Sequence, residues 1–178
     1  ARTLCVQNAC KTVRRVFVTR EVYSAKLDRA DGADSACPSA ASAAGLGGKW
    51  IAWISVDDGG QLTPQNRILD DANPYVLLDG TQIAPSSVWL KNKDYQVRVE
   101  HPIDVDEHAL RIDSGEELVW TGTGEYGYAS SEGTCEGWTT AAGDKVARVG
   151  SLRRTDSRLT AEDTVKCSSK LRLYCFEL

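Results

Sequence analysis

Six cysteines carry the most chemistry in this 178-residue chain: Cys5, Cys10, Cys37, Cys135, Cys167 and Cys175. Such thiols can ligate a metal, act as nucleophiles or close disulfides. No two are spaced CxxC, and His101 and His108 are the only histidines, so the ligand spacing of a zinc site is missing. An even count without that spacing favours three disulfides in an oxidising compartment. Six buried free thiols in a cytosolic protein is the alternative. The histidines bracket the acidic segment HPIDVDEH, where His101, Asp104, Asp106 and His108 offer nitrogen and oxygen ligands for a divalent ion. Neither HExxH nor EF-hand spacing is present, so a solvated acidic loop is the preferred reading, with no metal and no cofactor. The pairs Asp57-Asp58 and Asp70-Asp71 read the same way. There is no GxSxG elbow, and no Ser, Thr or Cys falls in a recognised catalytic motif, so the chain reads as a non-enzyme.

Two further sets of side chains suit binding rather than catalysis. Arg14-Arg15, and Arg153-Arg154 with Arg158, would form a basic patch for a sulfated glycan if they met in space. Binding through them would weaken steeply with salt. Trp120, Tyr126, Tyr128 and Trp138 surround the glycine-rich stretch TGTGEYGYASSEGT. Tyr and Trp make good contact surface for proteins and sugars, but they also fill cores. The core reading is preferred for Trp120 and Trp138. For Tyr126 and Tyr128 an exposed contact role weighs equally. The ligand-binding candidates are therefore Tyr126, Tyr128, Arg153, Arg154 and Arg158.

The elements that must position these groups centre on Gly32–Ser55. Ala33, Ala36, Cys37, Ala40, Ala41 and Ala44 recur at helical spacing, which predicts a helix with a small-residue stripe and a close neighbour. Pro38 conflicts with it, so the helix starts near Asp34 or bends there. Gly45 suits a left-handed stop, and Lys49–Ser55 reads as a buried strand with Trp50 and Trp53. Elsewhere, Val13–Thr19 is a β-branched strand. Tyr75–Leu78 and Thr81–Ala84 flank Asp79-Gly80 as a hairpin. Tyr95–Glu100 and Val119–Thr121 are short strands, Cys135–Thr139 is extended around Trp138, and Leu171–Glu177 is a terminal strand. Residues 1–11 are expected to be irregular and tied by a local Cys5–Cys10 bridge, and 141–166 to be a long polar connection. The whole predicts an α+β fold with one or two helices on a mainly antiparallel sheet, with long loops.

Composition sets the bounds. Apolar residues make up 42 % and charged residues 26 %, as in ordinary globular domains, and the length fits one domain. The net charge of −4 argues against nucleic acid as a partner. No apolar run approaches the ~18 residues of a membrane span. Methionine is absent altogether, which points to a processed or trimmed form.

An ordered series of short motifs runs along the chain: Gly32-Ala33-Asp34, Cys37, Ala44-Gly45-Leu46, Trp53-Ile54-Ser55, Val119-Trp120-Thr121-Gly122, Cys135-Glu136-Gly137-Trp138, and Cys167 with Leu173-Tyr174-Cys175-Phe176-Glu177. The series resembles the endostatin-like domain, the C-terminal domain of collagens fifteen and eighteen, which also occurs in bacterial surface and secreted proteins, among them leptospiral endostatin-like outer-membrane proteins. PYVLLDGTQIA is more similar to the bacterial branch. The resemblance covers 13–178 and leaves 1–12 as an N-terminal extension. It implies a C-type-lectin-like fold with bridges Cys37–Cys175 and Cys135–Cys167, leaving Cys5 and Cys10 for each other. The zinc site of mammalian endostatin uses N-terminal histidines and does not carry over to a chain that begins ARTLC. The calcium triplets of sugar-binding C-type lectins are missing too. What the resemblance implies is a secreted or cell-surface, adhesin-like binding module for an extracellular protein or glycan. A structural subunit of an extracellular assembly is the alternative.

Overall fold

The structure, a computed structural model, describes all residues except 1, 7–8, 58–61, 92–95, 114 and 116, and of 2, 4–6, 9 and 11 the backbone alone. Strands β1 (Arg2–Val6) and β2 (Ala9–Val18) form an antiparallel hairpin with Cys5 opposite Cys10 in register. Residues expected to be irregular thus extend the first predicted strand, and the division at 12/13 falls inside β2. The expected Cys5–Cys10 bridge rests on the Cys5 side chain, which lies outside the described residues.

The rest of the chain adds β3 (Tyr23–Ser24), α1 (Arg29–Ala43), β4 (Trp50–Ala52), α2 (Pro64–Arg67), β5 (Tyr75–Leu77), β6 (Gln82–Ala84), α3 (Ser87–Leu90), β7 (Leu118–Trp120), β8 (Val146–Ser151), β9 (Asp163–Lys166), β10 (Lys170–Leu171) and β11 (Tyr174–Glu177). The main sheet has the order β4-β11-β2-β5-β6, with β1 attached to β2, and its β2–β5 pairing is parallel. A second sheet runs β7-β8-β9, and β3 pairs with β10. The fold is mixed α+β, mostly sheet with few helices.

The small-residue stripe decides where α1 lies. Ala30, Ala33, Ala36, Cys37 and Ala41 are buried against Phe17, Ala52 and Ile54 of the main sheet region in one hydrophobic cluster. Gly32 passes so close to Leu27 that a Cβ there would sit 1.8 Å from the Leu27 carbonyl oxygen, so no other residue fits. The helix starts at Arg29, more than a turn before Asp34, with Asp28 and Arg29 at φ 49° and 68°. Pro38 lies inside it on the exposed side. At the other end Gly45 (φ 70°) is the left-handed stop. Its N–H donates to Ser42 O and that of Leu46 to Ala41 O, the two bonds of a Schellman motif.

Asp34 has a different task from opening the helix. Its Oδ1 accepts from the Ala52 N–H at 3.0 Å, and its Oδ2 pairs with Arg67. Arg67 in turn donates to the Ala52 and Ile54 carbonyls, both at 3.3 Å. Together the pair covers the free edge of β4 with side-chain hydrogen bonds.

Cys37 is bonded to Cys175 and Cys135 to Cys167, which ties α1 to β11 and the second half of the chain to itself. The tryptophans clamp the layers together. Trp53, Trp120 and Trp138 are fully buried, and their indole N–H groups donate to Thr160 Oγ1, Tyr23 O and Ser55 O. Trp120 and Trp138 stack edge to face with centroids 5.6 Å apart.

Three local expectations are corrected. Residues 141–166 are not a connection, because they hold β8 and β9. Residues 96–99 form no strand ladder, although Val97 and Val99 are buried. Cys135–Trp138 is not extended but a tight turn with all four φ angles between 51° and 68°. That left-handed run is held by the Thr134 Oγ1 cap on the Gly137 N–H, the disulfide and the buried Trp138 ring. Left-handed geometry costs roughly 1–2 kcal/mol per non-glycine residue, so such anchors are required.

Candidate functional site

The sequence candidates fall in three places. Tyr126 and Tyr128 keep 48 % and 44 % of their surface exposed. Their loop is held in shape by bonds from the Gly124 N–H to Tyr128 O and from the Gly127 N–H to Gly124 O, at 2.8 and 3.0 Å. It is also clamped to its neighbours. Gln65 Nε2 of α2 donates to Tyr126 O at 2.7 Å, and the Val97 N–H donates to Glu125 O at 2.7 Å. Gly127 lies flat on Gln65, where a Cβ would meet Nε2 at 2.7 Å.

The same contacts reach further. Lys91 Nζ donates to Gln65 O and Ile68 O and pairs with Asp70 at 2.9 Å, which binds α3 to α2. Leu69 and Val88, exposed by 73 % and 54 %, ride on those segments. Trp89 of α3 lies under the Arg98 guanidinium, 5.0 Å from its ring centroid. Two tyrosines, a tryptophan–arginine stack and two aliphatic side chains are thus carried on elements locked to one another. The sequence marked only the tyrosines. Leu69, Val88, Trp89 and Arg98 carry no motif, and only the fold joins them to the loop.

The arginines behave otherwise. Arg153 pairs with Glu117 and Asp104 and donates to Ile112 O at 2.6 Å. Arg154 makes a two-pronged pair with Glu162, and Arg158 another with Asp156. Arg14 pairs with Asp71, and Arg15 with Glu177. Every one of these charges is therefore matched by a carboxylate. The Asp156 carboxyl is held below its usual range chiefly by hydrogen bonding to Arg158, against some desolvation. For Glu177, burial alone would push the carboxyl up, but hydrogen bonds and charge from Arg15 outweigh it and the net shift is downward.

The acidic segment is also engaged. Asp106 is buried, accepts from the His108 and Leu110 N–H groups at 2.9 Å, and pairs with Arg20 at 3.0 Å. Asp104 pairs with Arg111 and His101 bonds Gln82 O. Among the described residues no three His, Cys, Asp or Glu side chains form a metal-ligand group.

A further feature was not singled out by sequence. A cleft of about 310 Å³ opens beside the left-handed turn, lined by Arg29, Val56, Asp57, Ser130, Ser131, Gly133, Thr134, Glu136 and Gly137. Of the six non-glycine residues with positive φ among the described residues, Asp28, Arg29, Cys135, Glu136 and Trp138 lie in or next to its walls. Its lining comes from three separate stretches of chain, which no local motif can announce.

A scan of the chain against protein-family models matches none, and a search of the curated proteins finds no relative.

Proposed function

We propose that this chain is a non-catalytic, extracellular binding module that recognises a protein or glycan ligand, in a bacterial endostatin-like domain of C-type-lectin-like fold. The observation that carries the reading is the half-exposed pair Tyr126 and Tyr128 on a loop fastened at both sides. Large aromatic side chains on a fixed backbone have less entropy to lose on binding than those on a loose loop, which suits an interaction hot spot. The Trp89–Arg98 stack and the exposed Leu69 and Val88 are carried on the segments bonded to that loop and are included in the proposed surface. The two disulfides support an oxidising, secreted or cell-surface setting. No helix among the described residues is long and apolar enough to cross a membrane. Arg153, Arg154 and Arg158 have a secondary part in the proposal, since each must exchange a carboxylate for a ligand.

The test is a solid-phase screen of the oxidised domain against matrix proteins, plasma proteins and glycans, with and without EDTA and at two salt concentrations. Saturable, EDTA-insensitive binding that survives salt is expected. Binding abolished by EDTA would overturn the metal-free reading, and loss of binding in moderate salt would transfer the site to the arginines. No binding, with polymerisation on sizing, would replace the module by a structural subunit.

A further inference from the structure

We propose that the cleft beside the left-handed turn is a calcium-independent site for a single sugar residue, separate from the tyrosine face. Its lining is polar and close to charge-balanced: it includes Arg29, Asp57 and Glu136, with Lys145 paired to Glu136 at 2.8 Å. Ser130, Ser131 and Thr134 add hydroxyls, those of Ser130 and Thr134 accepting from the Glu132 and Gly137 N–H groups and still able to donate. Such a set suits a neutral ligand rich in hydroxyls. Carboxylates accept from adjacent ring hydroxyls, a guanidinium donates to them, and serines do either. A fully charged ligand would meet both signs at once and gain from neither.

Size agrees. A water occupies about 30 Å³ of liquid, so the 310 Å³ of the cleft holds roughly ten. A hexose has about a dozen non-hydrogen atoms, which fits one ring and not a chain. Among the described residues Val56 is the one apolar side chain in the lining, and none of those lining residues is aromatic. Binding therefore runs through hydrogen bonds, and a millimolar dissociation constant is expected for one ring. Gly133 and Gly137 shape the wall of the cleft: at φ 117° Gly133 packs against the Val146 carbonyl, where a Cβ would sit 2.4 Å away, and at φ 68° the Gly137 N–H donates to Thr134 Oγ1. The Cys135–Cys167 bridge and the buried Trp138 hold that wall in place before the ligand arrives.

Saturation-transfer NMR with glucose, galactose, mannose and N-acetylglucosamine, each in EDTA, tests the site. Ser131 and Asp57 are both exposed, so Ser131→Trp fills the cleft and Asp57→Ala removes an acceptor without touching the core. The expected result is transfer from at least one of these sugars, abolished by Ser131→Trp and weakened at least about fivefold by Asp57→Ala. It should be kept in Tyr126→Ala/Tyr128→Ala. Absence of transfer from all four sugars, or transfer that survives Ser131→Trp in a variant with unchanged melting, overturns the inference. Transfer lost only in the tyrosine variant would put the sugar on the tyrosine face and overturn it equally.

Discussion

The Cys37–Cys175 bridge spans 138 residues and joins α1 to β11 at the centre of the fold, so its removal should be felt throughout. In the chain-entropy picture, closing a loop of that length is worth about 5 kcal/mol at room temperature. Cys135–Cys167 spans 32 residues, worth roughly 3.5–4 kcal/mol. A domain has only about 5–15 kcal/mol of net stability, so either loss is a large fraction of the total. For a chain of this size each kcal/mol moves the melting temperature by roughly 2–4 °C. Cys37→Ala/Cys175→Ala should therefore melt roughly 10–20 °C below the native protein, and Cys135→Ala/Cys167→Ala roughly 7–15 °C below. All four cysteines are fully buried, so reductant should act slowly on the folded protein and fully on the unfolded one. Calorimetric or circular-dichroism melts of native protein, both double variants, and native protein in strong reductant make the comparison. A drop below about 3 °C for the Cys37–Cys175 pair, or the reverse order of the two pairs, would refute the loop-entropy reasoning.

Other consequences are nearer the surface. Glu177→Gln leaves the Arg15 guanidinium buried without its counter-charge, 10 % exposed against 1 % for Glu177, and should cost about 3–5 kcal/mol in urea unfolding. Glu177 and Asp71 both have folded pKa values below their unfolded ones. Their contribution is complete above the unfolded carboxylate range near pH 4.5 and is lost as pH falls through the lowered folded values. Stability should therefore decline from about pH 4.5 downward, and Glu177→Gln should flatten that decline in urea midpoints taken from pH 7 to 3. Arg67→Ala removes one donor each from the Ala52 and Ile54 carbonyls and from Asp34, of which Ala52 O keeps the Ile54 N–H and Asp34 the Ala52 N–H, for a loss of about 1–3 kcal/mol with ligand binding unchanged. A loss below about 0.5 kcal/mol would show that water covers the β4 edge as well as Arg67 does.

Much of the frame is legible in the sequence because it obeys simple periodicities. The alanine–cysteine stripe marks α1, Asp79-Gly80 marks the β5–β6 hairpin, and the Val119–Thr121 run marks β7. What stays hidden has physical reasons. β8 reads Val-Ala-Arg-Val-Gly-Ser, and its burial depends on features that alternation does not record. Arg148 spends its charge on Glu132 and its other arm on Ala161 O. Gly150 lies so close to Leu159 that a Cβ would sit 1.9 Å from its carbonyl oxygen. The start of α1 is displaced because Asp34, a plausible first-turn residue, caps a strand edge instead. The turn at Cys135–Trp138 is left-handed against the preference of three of its four residues, and only tertiary anchors hold it there. Of the binding candidates, the tyrosines stand out in sequence as aromatics in a glycine-rich loop. The carboxylate partners of the arginines come from elsewhere in the chain for Arg153 and from eight residues or fewer away for Arg154 and Arg158.

The central claim is that Tyr126 and Tyr128 are contact residues and not structural ones. It is tested most directly by an affinity measurement on the tightest protein binder from the screen, comparing the native domain with Tyr126→Ala/Tyr128→Ala, alongside the melting curve of each. The account predicts an affinity loss of at least about tenfold with a melting temperature within about 2 °C of native. Unchanged affinity, or a melting temperature lowered by more than about 5 °C, would contradict it.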